Sequence, residues 1–339
     1  MQKALLTGAT GFVGRYVMDA LLNSGFEVRC LVRDLERSES LAQRGVERML
    51  GDLARPETLT RMVKGVDLVV HLGGLMTALG RNEFEQVNGL GTRHLVGACA
   101  EQENPPVFIL ISSIAAAGTS SEKLRNELDP VHPVSHYGRS KRNGEVAVAA
   151  VADRVPVTIL RPPFVFGGGD RSGFYIFRPI KRFGIHPVVG MRHRRQISLI
   201  HAEDLACSIL LAARAAARVD VTDAGRDCFS EGCYFVADDA TPRYSQLGDM
   251  IGHALGKSKI TKLPVPDTLA LTLGAGASTV ARLRGRPGVF SLDKAREGAA
   301  GSWTCCCDKI KQDLNFKPRA SLQDRLQQTV DWYLTHGWF

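Results

Sequence analysis

The sequence predicts an α/β protein: a Rossmann-type, doubly wound parallel sheet with a smaller, interleaved C-terminal substrate-binding lobe. Three observations predict it. Strand-like and helix-like segments alternate through the N-terminal half. The strands are apolar throughout rather than alternating, as in strands covered by helices on both faces. A glycine-rich turn joins the first strand to the first helix, where a dinucleotide-binding fold needs one.

Lys3-Ala-Leu-Leu-Thr7 is a short apolar strand, Gly8 to Gly14 is the turn, and 16–24 is a helix that Gly25 closes. Strand two spans 27–32, a helix 37–44 and strand three 46–50, ending at Gly51-Asp52. Pro56 opens a helix that Gly65 stops. Strand four (66–71), helix 88–101, strand five (107–112), a long helix at 135–151 and strand six (157–161) follow. The pattern then loosens: 166–195 is rich in Gly, Arg and Phe and has no clean period. Strand 197–200, helix 202–217 and strand 234–237 return to the earlier style. Helix 244–255, strand 260–265, helix 267–283 and helix 321–335 complete the chain. The expected organisation is a dinucleotide-binding Rossmann domain over 1–165, with 196–237 returning to it. Residues 166–195 and 238–339 would form the substrate-binding lobe over the C-terminal edge of the sheet.

The chain has 339 residues, 44% hydrophobic and 23% charged, so it can bury a core; disorder, collagen and disulfide scaffolds are excluded as whole-chain readings. Its net charge of +8 permits an anionic ligand such as a phosphorylated cofactor. Basic residues are scattered, apart from Arg192-His193-Arg194-Arg195 and the Arg282, Arg284, Arg286 trio. Both clusters read most simply as solvated loop or face. With no recognisable nucleic-acid-binding module, no nucleic-acid partner is expected. Cys30 and Cys99 read as reduced core thiols. Cys228 with Cys233, or the Cys305-Cys306-Cys307 run, are conceivable metal ligands, but no CxxC pair or zinc-finger spacing supports them, so no metal is expected. The chain starts directly on a strand, so no signal peptide is expected. No apolar run reaches the roughly 20 residues of a membrane span, and a cytoplasmic protein is expected.

Thr7-Gly8-Ala9-Thr10-Gly11-Phe12-Val13-Gly14 carries the first chemistry. Gly8 permits the tight turn, Gly11 lets backbone approach a pyrophosphate, and Gly14 lets helix pack on strand. The helix N-terminus then offers free N–H groups to phosphates. At the end of strand two, Val28-Arg29-Cys30-Leu31-Val32-Arg33 has no acid inside it to hold ribose hydroxyls; Asp34 follows Arg33. Arg33 suits a ribose 2′-phosphate, so NADP(H) is preferred and NAD(H) remains possible. Asp52, followed by Leu53, ends strand three where an adenine amino group would donate; its plain alternative is an N-cap or a loop acid. Leu72-Gly73-Gly74 ends strand four, where small residues leave room for a cofactor.

Tyr137-Gly138-Arg139-Ser140-Lys141 is the second signal. A helix puts Tyr137 and Lys141 on one face. A tyrosine with an ordinary pKa near 10 is a poor acid–base catalyst at neutral pH unless cations lower it. Ser113 ends strand five, placed to hydrogen-bond a substrate oxygen beside Tyr137.

These motifs resemble those of the extended short-chain dehydrogenase/reductases, the NAD-dependent epimerase/dehydratase superfamily. The matching segments include Thr7 to Gly14, Gly51-Asp52-Leu53, His71-Leu72-Gly73-Gly74, Val87-Asn88 with Gly91-Thr92 and Ile111-Ser112-Ser113. Tyr137 to Lys141, Arg161 to Gly167 and His201 to Leu205 continue them. The resemblance implies a catalytic Ser113, Tyr137, Lys141 set, with Ile111 in the cofactor site and Pro162 to Val165 near the nicotinamide. It implies that Asn88 shapes or hydrates the site. It also implies a homodimer through the helices at 88–101 and 135–151, with Leu90, Leu95, Val146 and Val148 as apolar contacts. Nucleotide-sugar dehydratases usually carry Thr and an acid where this chain has Ser112-Ser113. Many nucleotide-sugar enzymes place an Arg where this chain has Ile197, although Arg194 or Arg195 would be near enough to substitute. Arg33 and the Ser-Ser end are similar to the dihydroflavonol-reductase and 3β-hydroxysteroid-dehydrogenase branches. The expectation is an oxidoreductase moving hydride between NADP(H) and a secondary alcohol or ketone of a fairly apolar small molecule. Alternatives are a nucleotide-sugar epimerase or dehydratase and an NADP(H)-sensing binding module.

Overall fold

Every pairing in the main seven-stranded sheet is parallel. The computed structural model describes residues 2–190 and 195–339; Arg192, His193 and Arg194 of the basic cluster lie outside them. β1 (Lys3–Thr7) leads to α1 (Phe12–Asn23), β2 (Glu27–Val32), α2 (Glu39–Ala42) and β3 (Glu47–Leu50). Then come α3 (Thr60–Val63), β4 (Leu68–His71), α4 (Arg81–Phe84), a π-helical segment (Glu85–Leu90) and α5 (Gly91–Ala100). β5 (Val107–Ile111), α6 (Ile114–Ala117), α7 (His136–Ala149) and β6 (Val157–Arg161) complete the N-terminal half. Next are β7 (Phe164–Phe166), α8 (Phe174–Phe183), β8 (Ile185–Val189), β9 (Leu199–His201), α9 (Ala202–Ala215) and β10 (Cys233–Phe235). The chain ends with α10 (Tyr244–Ala254), β11 (Thr261–Val265), α11 (Asp267–Arg284), α12 (Leu292–Ala300), α13 (Asp308–Leu314) and α14 (Leu322–Thr335).

The strand order is β10-β6-β5-β4-β1-β2-β3. Winding reverses between β1 and β4, and ligands of such sheets sit at the strand ends beside that switch point. Successive strand residues serve opposite faces, which is why the strands read as continuous apolar runs. On one face Leu6, Val70 and Ile109 pack with Val17, Leu205 and Ile209. On the other, Leu5, Val69 and Leu110 pack with Leu95, Val96 and Val148. A separate apolar cluster joins Phe166, Phe177, Leu247, Ile251, Val330 and Tyr333.

Besides α12 and α13, which were not expected, three segments depart from expectation. α1 starts at Phe12 rather than residue 16, because Gly14 lets its first turn press against the strand: a Cβ there would stand 2.1 Å from the Gly8 carbonyl oxygen. The strand expected over 197–200 is β9, and it pairs with β7 outside the main sheet. Residues 166–195 do contain regular structure, α8 and β8; Pro179 and Pro187 inside them disturb the apolar period. Residues 305–316 pack in the same cluster as α9 and the sheet, where Cys305 and Cys307 are buried. Among the described residues no three His, Cys, Asp or Glu side chains converge as a metal site.

Candidate active site

The glycine-rich turn forms a cradle at the switch point. Gly8 has φ +76°, and its missing Cβ would meet Gly73 N and Leu72 C at 3.0 Å, so the ends of β1 and β4 approach closely. Gly11 N donates to the Gly8 carbonyl at 2.9 Å and tightens the turn. No side chain caps α1, so the N–H groups of Phe12, Val13 and Gly14 point free from the helix start, beside exposed Thr10 and Gly11. Close backbone, absent Cβ atoms and free donors fit a pyrophosphate.

A directed hydrogen-bond chain stiffens the β4 end. Gly73 N–H donates to Thr7 Oγ1 at 2.9 Å, and the Thr7 hydroxyl meets buried His71 Nδ1 at 2.7 Å. His71 Nε2 lies 3.0 Å from Thr92 Oγ1, whose proton goes to the Asn88 carbonyl at 2.7 Å. That last bond assigns the chain: Thr92 accepts from His71 Nε2–H, and His71 Nδ1 accepts from Thr7. Burial, helped by the Lys141 charge, holds the His71 pKa down to about 3, so the ring is neutral. Asn88, in the π-helical segment, accepts from Leu75 N and donates to Leu75 O and Ser140 Oγ. Its amide hydrogens are both engaged, and they tie the loop after β4 to α7.

Tyr137, Ser113 and Lys141 come together beside this loop. Ser113 caps α6, its Oγ accepting Ala115 N–H at 3.1 Å. The Ser113 hydroxyl is also near enough to the Tyr137 side chain to lower the tyrosine's pKa. Tyr137 is nearly buried, and burial outweighs that contact, pushing its pKa above the ordinary value. Lys141 is buried too; its Nζ donates to Ile111 O at 2.6 Å, and burial lowers its pKa to about 8 against the pull of Glu145. A Cβ on Gly74 would stand 2.8 Å from Asn88 Oδ1, so the glycine lets the loop after β4 lie close on Asn88.

A buried ion pair fixes α7 against the sheet. Glu145 accepts Arg161 Nε and Nη2, each at 2.8 Å, Arg142 Nη1 at 3.1 Å and Ser112 Oγ at 2.6 Å. Glu145 and Arg161 are wholly buried, and the Arg161 guanidinium stands against the rings of Phe229 and Phe235. The pair pins α7 to the ends of β5 and β6.

Helix α12 closes the site from the C-terminal lobe. Asp293 accepts His136 N at 2.7 Å and Tyr137 N at 3.0 Å, capping α7 from outside. Glu297 accepts the Ser135 hydroxyl at 2.6 Å and Lys294 Nζ at 2.8 Å. Lys294 Nζ lies 4.7 Å from the centre of the Tyr137 ring. Lys294 is the charge that most lowers the Tyr137 pKa, and Glu297 opposes it. Leu75, Ala78, Phe84, Ala115 and Trp303 surround Tyr137 with apolar groups.

Residues 4–224 match the family described as NAD dependent epimerase/dehydratase. The chain belongs to that family. A ceramide reductase of Caulobacter vibrioides is 32% identical across 98% of this chain and 95% of that relative. A 2-alkyl-3-oxoalkanoate reductase of Shewanella oneidensis is 26% identical across 83% and 73%. A UDP-glucose 4-epimerase of Thermotoga maritima shares the fold, with a TM-score of 0.76 over 99% of each chain at 18% identity. The protein is an NAD(P)-dependent oxidoreductase of the extended short-chain dehydrogenase/reductase type.

Arg33, Asp52, Leu53, Pro162 and Val165 are the remaining residues expected at a cofactor. Arg33 is exposed just past β2, and Asp52 accepts Ala54 N–H at 3.0 Å within the loop after β3. Leu53 is buried, with Cδ1 beside Gly73. Pro162 O accepts Ile114 N–H, joining the β6 end to α6, and Val165 lies in β7. Arg195 is not available to grip a diphosphate: its guanidinium donates to Asp267 at 2.7 and 2.9 Å and to the carbonyls of Val189, Gly298 and Ala299. Leu95 and Val148 face the chain's own core and offer no dimer contact. Leu90 and Val146 instead line a shallow outer groove with Glu85, Arg93 and Asn143.

Proposed function

We propose that the protein is an NADPH-preferring reductase of a ketone carried by an apolar, lipid-like molecule. The observation that carries this reading is the apolar cluster that Leu75, Ala78, Phe84, Ala115 and Trp303 form with the buried Tyr137. The ceramide and 3-oxoalkanoate reductases among the relatives support it. Arg195, committed to Asp267, and Ile197 leave no arginine in the described part of this segment for a sugar nucleotide. Joint retention of Tyr137 and Lys141 favours catalysis over a sensing module. Residues 166–195 and 238–339 serve as the substrate lobe, and the protein acts in the cytoplasm as a homodimer through the outer faces of α5 and α7.

The nicotinamide cofactor supplies or takes the hydride when bound. The residues that fit it are Gly8, Thr10, Gly11, Phe12, Val13 and Gly14 at the phosphates, with Arg33 and Asp52 at the adenosine end. Leu53, Leu72, Gly73, Gly74 and Ile111 line the space between, and Pro162 and Val165 close the nicotinamide end. Tyr137 gives its proton to the substrate oxygen, Ser113 donates a hydrogen bond to the same oxygen, and Lys294 with Lys141 stabilises the phenolate left behind. Apolar walls exclude water and strengthen each of these contacts.

The test is a purified-protein assay of NADPH oxidation with long-chain 3-oxo lipids, steroid ketones and sugar nucleotides. Turnover is expected with the lipid ketones; turnover with sugar nucleotides alone overturns the reading. Arg33→Ala should weaken NADPH binding on the order of tenfold, the value of a charge-assisted contact, and leave NADH binding nearly unchanged. Tighter binding of NADH than NADPH by the wild type contradicts the preference.

A further inference from the structure

Helices on protein surfaces normally turn their apolar stripe inward. α11 does the reverse. Its inner side is made of small residues: Ala270 and Gly274 are buried, and a Cβ on Gly274 would stand 2.7 Å from the Ala295 Cβ, so α11 rides close on α12. Its outer side carries Leu269, Leu273, Val280 and Leu283, which are 48, 55, 44 and 85% exposed. At helical periodicity these four fall on one side. Val289 and Phe290 extend the exposed apolar surface past the helix end.

Charge accompanies the stripe. Arg282 and Arg284 lie in the last turn of α11 and Arg286 follows, whereas 268–292 contains no Asp or Glu. The basic end also adjoins the catalytic cleft. Arg282 Nε reaches Leu79 O at 3.5 Å, on the loop whose Leu75 and Ala78 pack against Tyr137 and whose Met76 is exposed. Two copies of this face would set arginine against arginine. A bilayer containing acidic phospholipids offers hydrocarbon to the stripe and phosphates to the guanidiniums.

We propose that α11 and the turn after it form a membrane-docking surface that seats the mouth of the cleft on an anionic lipid bilayer. Delivery of substrate from the bilayer to Tyr137 rests on the lipid-ketone reading above; docking itself stands on α11. The surface binds reversibly, with the stripe at the depth of the headgroups and the arginines on phosphates.

The test is flotation of the full-length protein with vesicles of equal parts phosphatidylcholine and phosphatidylglycerol, and with vesicles of phosphatidylcholine alone. Wild type is expected to float with the acidic vesicles at low salt and to be released by high salt. Leu273→Glu with Leu283→Glu, and separately Arg284→Ser with Arg286→Ser, should each weaken binding at least about tenfold. These side chains are exposed, so thermal melting and turnover of a water-soluble ketone without vesicles should match wild type. Failure of the wild type to float at low salt overturns the proposal, as does equal flotation of the variants. Loss of a dimer in the leucine variant also overturns it, by showing a protein–protein face. Flotation without any ketone turnover leaves docking in place and removes the reductase reading. Ketone turnover without flotation removes docking alone.

Discussion

Tyr137 combines a donor, an ammonium and a wall of apolar side chains, and each has a separable effect on its acidity. Burial pushes the hydroxyl up, whereas Lys294 and the Ser113 contact bring it down. Glu297 faces the same ring and opposes Lys294; Lys141 is turned to Ile111 O, and Asp293 is engaged by the α7 backbone. Replacing Lys294 with Met removes the nearest cation from the phenolate. In the alcohol-oxidation direction the rate rises as Tyr137 loses its proton, so Lys294→Met should move that limb to higher pH. Lys141→Ala should move it less. An unmoved limb in Lys294→Met would show that Lys294 only packs. Ser113, Tyr137 and Lys141 were legible in the sequence because helix spacing and a strand end relate them locally. Lys294, Asp293 and Glu297 were not: they meet α7 from more than 150 residues away, and nothing in local spacing marks such a contact.

Among the elements, α7 decides the site, and the Glu145–Arg161 pair decides where α7 sits. Glu145→Gln leaves Arg161 buried without a countercharge, which should cost about 3–5 kcal/mol in chemical unfolding. Arginine salt bridges hold the Glu145 carboxyl below its ordinary pKa despite burial. The stability it supplies is therefore present above the unfolded-state value near 4.3 and is lost as the pH falls through the lower folded value. Wild type should lose stability over that acid limb, and Glu145→Gln should show a flatter one; an equal slope contradicts the assignment. The signals for this pair were present but faint: Arg161 ends an otherwise apolar strand, and Glu145 lies one helical turn beyond Lys141. β1, β4, β5 and β6 were readable because burial on both faces makes each one a largely apolar run. α8 and β8 were not, because each contains a proline and, among the described residues, β8 pairs only with β11.

At the scale of the whole molecule, the sheet order places the glycine-rich turn, the Ser113 strand end and Tyr137 along one edge, and the C-terminal elements close it through α12. The outer faces of α5 and α7 remain for the proposed dimer, where Leu90 and Val146 stand beside Arg93 and Glu85. Sedimentation should give a dimer at micromolar concentration and a shift toward monomer for Val146→Glu; a wild-type monomer contradicts the pairing. The most direct test of the central claim is turnover and cofactor affinity measured together in Tyr137→Phe. The change removes one oxygen from a site whose cradle at Gly8, Gly11 and Gly14 is untouched, so NADPH affinity should stay within about twofold. Turnover of the ketone should fall at least roughly 10²-fold, the usual loss for a general acid–base group. Full turnover in Tyr137→Phe would contradict the proposed chemistry, whatever the dinucleotide affinity.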